Sequence, residues 1–201
     1  MMKSLMTVAT IKILVEGYAR EIESGWLVTS TAVLVESSGK RVVVDPGCAR
    51  DKLMLALQKQ GLTANDIDFV FLTHNHTDHT LLAGIFNRAK VLTTSEIYDS
   101  DRQVEHNDVI PGTELKIIKT PGHCFPHCSL LVNTAGGVYL VAGDVFWWQE
   151  GQEQKIDKQS LLDHGDPYAR DKQALKKNRE KVLKLADYVI PGHGKMFKNE
   201  R

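Results

Sequence analysis

Between residues 74 and 79 the chain reads His-Asn-His-Thr-Asp-His, placing His74, His76, Asp78 and His79 in one short segment. Imidazole nitrogen and carboxylate oxygen are the donors that suit Zn²⁺, with Fe and Mn as further candidates. Two positions apart on an extended or tightly turning segment, His74 and His76 put both rings on one side. Asp78 and His79 follow on a turn, from which they can address a second, neighbouring ion. A lone histidine says little, but this set directly after an apolar run points to a metal centre. Three more residues share one local setting, a strand followed by a glycine-bearing turn. His123 ends Thr120-Pro121-Gly122-His123, Asp144 ends Ala142-Gly143-Asp144, and His193 lies in Pro191-Gly192-His193-Gly194. Glycine beside each lets the backbone turn sharply and come close to a metal.

The elements that must position these residues are mostly short strands. Thr7 to Val15, Thr31 to Glu36 and Arg41 to Val44 are rich in β-branched residues, and Ser37-Ser38-Gly39-Lys40 reads as a hairpin turn. Asp51 to Gln60 carries Leu53 and Leu57 at helical spacing, closed by Gly61. The apolar run Phe69 to Leu72 suits a strand buried on both faces. Further strands are predicted at Ala89–Thr93, Leu115–Lys119, Ser129–Val132, Val138–Ala142 and Tyr188–Ile190. A helix is predicted over Pro167–Ala186, with Pro167 in its first turn and Leu175, Val182 and Ala186 on one face. Several strands end in Asp or His, which puts the chemistry at strand ends.

With 201 residues, the chain is expected to form one domain over 1–201, large enough to need no disulfide staples. Lys plus Arg number 25 and Asp plus Glu 25, a balance that gives no support to a dedicated nucleic-acid binder. The odd set Cys48, Cys124 and Cys128 fits a reduced environment, so a cytoplasmic location is expected. Lys12 and Glu16 interrupt the first apolar stretch, and neither a signal peptide nor a membrane span is readable.

The order HxHxDH, TPGH, GD and PGHG, running through nearly the whole chain, resembles the metallo-β-lactamase superfamily. Within it, the stretches Val141-Ala142-Gly143-Asp144-Val145-Phe146 and Ala186-Asp187 through Gly194 are similar to the branch of metallo-β-lactamase-domain-containing protein one. The resemblance implies an α+β fold, a four-layer αββα sandwich with the metal site at one edge between the sheets. It also implies two metal ions, zinc first among the candidates. By position, His74, His76 and His123 would hold one ion and Asp78, His79 and His193 the other, while Asp144 would bridge both with a water or hydroxide. Asp45, ending the Val42 to Val44 strand, matches a position that orients a metal-binding histidine through its other ring nitrogen. Read locally, the same residue makes an Asx turn before Pro46. Two departures stand out. Leu81 and Leu82 precede Gly84 where many members have a glycine pair, and Cys124-Phe125-Pro126-His127-Cys128 follows His123. His127 either faces the cleft as a substrate contact or satisfies a loop backbone.

A bound metal lowers the pKa of water from about 16 to about 7, so two ions sharing a hydroxide imply hydrolysis without a side-chain nucleophile. Asp78 is placed to accept or relay the proton. The expected substrate is a small ester, thioester or related molecule, with Trp147 and Trp148 after Asp144 as an apolar wall. A ribonuclease or phosphodiesterase reading stands second, with RNA held by Lys172, Lys176, Lys177, Arg179, Lys181 and Lys184 of the late helix. A mononuclear iron dioxygenase acting on persulfides is third, and a non-catalytic metal binder fourth. The family resemblance argues against lactam antibiotics, because common dinuclear β-lactamases place Cys at the Asp144 position. It also argues against diiron flavoproteins, which carry Glu where His76 stands. No membrane partner is expected.

Overall fold

A computed structural model describes residues 8–200. The first sheet is built from Thr10–Val15 (β1), Ala32–Ser37 (β4), Lys40–Val44 (β5), Phe69–Phe71 (β6), Lys90–Leu92 (β7), Glu96–Asp99 (β8) and Arg102–Glu105 (β9). These seven strands lie in the order β1-β4-β5-β6-β7-β8-β9. A separate hairpin, Tyr18–Ile22 (β2) with Gly25–Thr29 (β3), pairs only with itself. The second sheet has five strands, Lys116–Lys119 (β10), Cys128–Thr134 (β11), Gly137–Trp147 (β12), Tyr188–His193 (β13) and Phe197–Lys198 (β14), in that order. Helix α1 is Arg50–Lys59, α2 Thr77–Thr80, α3 Lys158–Asp163 and α4 Lys172–Leu185.

Alternation along the strands makes the layers. Val33 and Val35 of β4, Val42 and Val44 of β5, and Phe69 and Phe71 of β6 join Leu130, Val132, Val141 and Ile190 in the core between the sheets. Their neighbours Leu34, Val43 and Val70 point the other way and meet Leu53 and Leu57 of α1. On the far side Leu140, Ala142 and Val189 pack on Leu175, Val182 and Leu183 of α4. Period-two strands with both faces covered give the expected αββα sandwich. The turn Ser37 to Lys40 is a two-residue hairpin loop, with Ser38 and Gly39 both at positive φ (52° and 75°).

Three expectations change. The late helix starts at Lys172, because the Asp171 carboxylate caps it by accepting from the Gln173 and Ala174 amides (3.0 and 2.9 Å); Pro167 lies in the preceding loop. The strand expected to stop at Ala142 runs on to Trp147, since Gly143 (φ 52°) absorbs a kink and pairing with β13 resumes. The first strand begins at Thr10, and Thr7 lies outside the described residues. Among the described residues no helix is long and apolar enough to cross a membrane.

Candidate metal centre

The C-terminal ends of β5, β6 and β13 and the kink in β12 converge on one side of the sandwich, and each delivers one part of the site. β6 feeds Thr73 and His74 and then α2, whose first turn carries Asp78 and His79. β12 brings Asp144 just after its kink, and β13 ends at His193. The loop between β10 and β11 brings His123.

Two groups result. His74, His76, His123 and Asp144 offer donor atoms that all lie within 4.8 Å of one another, and so do Asp78, His79 and His193. Asp144 faces both. Its Oδ2 lies 3.3 Å from His123 Nε2 and 3.7 Å from His74 Nε2, while Oδ1 lies 3.3 Å from His79 Nε2 and 3.7 Å from His193 Nε2. His193 Nε2 is also 3.2 Å from Asp78 Oδ2.

His76 turns its Nδ1 toward His123 Nε2 (3.2 Å), and in the other four histidines the ring nitrogen on the far side is occupied by protein. His79 Nδ1 donates to Asp45 Oδ2 (2.8 Å), and His123 Nδ1 donates to Asp166 Oδ2 (2.8 Å). His193 Nδ1 donates to the carbonyls of Thr29 (3.0 Å) and Tyr18 (3.2 Å). The Thr73 hydroxyl donates to Asp45 Oδ2 (2.6 Å) and therefore accepts from His74 Nδ1 (3.0 Å). With those nitrogens protonated, the inward nitrogens present bare lone pairs. Buried His74 Nε2, His79 Nε2 and Asp144 Oδ1 have no hydrogen-bond partner. Buried polar atoms are rarely left unpaired, and these converge on shared points, which is the arrangement a metal ion satisfies. The donor set therefore fits the ions that the sequence implies.

The buried carboxylates set the charge state of their neighbours. Burial would raise the Asp144 carboxyl, but His79 and His193 outweigh it and hold that group well below the usual carboxylate range. Burial pulls His79 down, yet Asp144 and Asp45 carry it well above the ordinary imidazole value. Burial likewise drives the His74 imidazole well down, reinforced by His79.

Glycine is required where the backbone crosses this cluster. A Cβ on Gly192 would overlap Asp144 Oδ1, and one on Gly143 would come within 2.6 Å of Thr73 Oγ1. Gly192→Ala is expected to push Asp144 out of place. Zinc affinity should fall at least tenfold while the far-UV circular dichroism stays close to wild type, and wild-type zinc affinity in that variant would count against the packing described here.

The cleft above the groups has a volume of about 640 Å³. Asp78, His76, His123, Asp144 and His193 form its floor, and Trp147, Tyr168, Trp26 and Val28 its walls. Of the expected substrate contacts, only Trp147 reaches it. Trp148, just past β12, points to its opposite face, where it stacks on Phe146 and meets Phe197 edge-on in the core, because successive strand residues alternate sides. His127 is buried behind His74, with the two rings stacked 4.9 Å apart, and its Nδ1 lies 3.0 Å from the Thr120 hydroxyl. Burial pushes its pKa down to about 3, so it is a neutral packing partner rather than a cleft residue. The sequence reading did not identify Thr73, Asp166 or Arg170. Asp166 sits beside Pro167 in a loop, and only its approach to His123 from 43 residues away reveals its role.

A family model described as the metallo-β-lactamase superfamily matches residues 25–98. Metallo-beta-lactamase domain-containing protein 1 of Xenopus laevis is 31% identical over 94% of this chain and 81% of its own length. Its rat counterpart is 34% identical over 78% of this chain; the match spans 62% of the rat protein, less than two thirds of its length. The fold is shared with a metallo-β-lactamase-type protein of Thermotoga maritima, at a TM-score of 0.71 and 19% identity, covering 96% of this chain and 100% of that one. With the αββα sandwich, the convergent strand ends and relatives of this similarity in hand, the chain belongs to the metallo-β-lactamase superfamily.

Proposed function

We propose that the chain is a dinuclear zinc hydrolase acting on an ester, thioester or related small substrate. As a superfamily member it is a metal-dependent hydrolase; the metal count, the zinc and the substrate are the added steps. The observation that carries the proposal is Asp144, which turns one carboxylate oxygen to each of two histidine groups. Metal ions held by His74, His76, His123 and Asp144 and by Asp78, His79 and His193 would supply a water ionised at neutral pH and a Lewis acid for the carbonyl under attack. Asp78, part-exposed on the cleft floor and held ionised by His193 and His79 against the effect of burial, is the carboxylate that would take up a proton there. Asp45 and Asp166 hold His79 and His123 in the orientation and tautomer that the reaction needs.

The late helix gives the RNA reading less support than its composition suggested. Arg179 is buried and spends its guanidinium on the carbonyls of Val145 and His164, while Lys176 pairs with Asp163. Metal identity is open to test, since a shared fold serves both a dizinc lactonase (AidC) and a diiron chemotaxis sensor (ODP).

Elemental analysis of protein purified without added metal tests the proposal. Two zinc ions per chain are expected; one iron per chain would replace hydrolysis by the persulfide oxidation reading. Stripping the metals with a chelator is expected to lower Tm on the order of 10 °C, because a ligand present at a thousand times its Kd stabilises by about 4 kcal/mol. An unchanged Tm would separate the buried unpaired atoms from any metal.

A further inference from the structure

The cleft carries one charged side chain with no part in the metal groups. Apart from Asp78, Asp144 and the histidines, Arg170 is the charged residue of the lining. Its side chain is exposed and enters no hydrogen bond or ion pair among the described residues. The loop that bears it is nevertheless fixed. Arg170 N donates to the carbonyl of His123 (3.0 Å), Asp171 N donates to that of Gly122 (2.9 Å), and Asp166 of the same loop holds the His123 ring. A free guanidinium is thus stitched by its backbone to a residue of the metal centre. Between it and the hairpin stand aromatic walls that are only partly covered. Trp26 is 40% and Tyr168 54% exposed, and the Tyr168 and Trp147 rings lie 5.8 Å apart. Large apolar groups left open around a concave site mark where a ligand covers them.

We infer that the substrate is an ester or thioester with an apolar body and a carboxylate at its far end, the body lying between Trp26, Val28 and Trp147 and the carboxylate on Arg170. This rests on the hydrolase reading above. Arginine's planar fork fits a carboxylate through two parallel hydrogen bonds, which a lysine cannot reproduce.

The test uses zinc-loaded protein and two substrates with the same five-carbon acyl chain, the para-nitrophenyl monoester of glutaric acid and para-nitrophenyl valerate. Wild type is expected to prefer the glutarate by about 10- to 100-fold in kcat/KM. Arg170→Gln should erase that preference and leave the valerate rate unchanged, and Arg170→Lys should recover part of it. A preference unaltered in Arg170→Gln would overturn the inference. If neither ester is hydrolysed, the hydrolase reading fails, and binding decides the inference on its own. Quenching of tryptophan fluorescence by phenylacetate, compared with phenylacetamide, should then show a tighter carboxylate complex in wild type that weakens by at least about tenfold in Arg170→Gln. Equal affinity in the two proteins would overturn it.

Discussion

Replacing Asp144 by asparagine is expected to lower kcat/KM on the order of a thousandfold and to leave one metal ion per chain or fewer. The side chain keeps its volume, so the effect isolates one atom. The carboxylate now turns Oδ2 toward His74 and His123 and Oδ1 toward His79 and His193. An amide has one acceptor and one N–H₂, so one histidine group would face a donor where its ion requires a lone pair. That group should empty, and the ion left in the other would lose its neighbour. Elemental analysis with ester kinetics reads both effects. Asp144→Asn protein holding two ions at full activity would remove this residue from the shared position.

The second large effect is expected at Asp45, which touches no metal position. The residue is 1% exposed and accepts from Thr73 N (2.8 Å), Thr73 Oγ1 (2.6 Å) and His79 Nδ1 (2.8 Å). Asp45→Ala strips three buried donors of their acceptor, a loss of about 3–5 kcal/mol by analogy with broken buried pairs. It also frees His79 directly and His74 through Thr73, one ring from each group. Removing an outer partner of a metal-binding histidine typically weakens binding about 10- to 100-fold, and more is expected where one carboxylate steadies two rings. Asp45→Asn should fall between. Asparagine accepts the left-handed backbone found there (φ 44°) but offers a single acceptor oxygen. Urea midpoints and a zinc competition titration measure the two parts separately. An alanine variant as stable and as zinc-tight as wild type would show the Asp45 network to be incidental.

The metal-type residues were legible because each sits beside a local signal, a buried strand before His74 or a glycine next to His123, Asp144 and His193. Those signals are properties of a few consecutive residues. What stayed hidden was set by distant packing. Asp166 acquires its role from His123, and Thr73, next to His74 in sequence, acquires its role from Asp45, 28 residues earlier. The aromatic pair after Asp144 shows a subtler limit. Reading the strand as ending at Ala142 left Trp147 and Trp148 on a loop where both could face the cleft. Once β12 is seen to continue, strict alternation allows only one of them to do so. His127 stayed open between cleft and loop for the opposite reason, since a histidine among histidines looks functional until its burial behind His74 is known.

The β2–β3 hairpin separates two tasks in the molecule. Its base is pinned, because the carbonyls of Tyr18 and Thr29 receive the Nδ1 proton of His193. Its arms supply Ala19, Trp26 and Val28 to the cleft, but none of the residues grouped around the metal positions. The turn between the arms, Glu23 and Ser24, is exposed and bonded to no other sheet. Substitutions at Ala19, Trp26 or Val28 would therefore redraw the cleft wall while leaving the residues grouped around the metal positions unchanged. The hairpin thus keeps the shape of the entrance apart from the residues grouped beneath it.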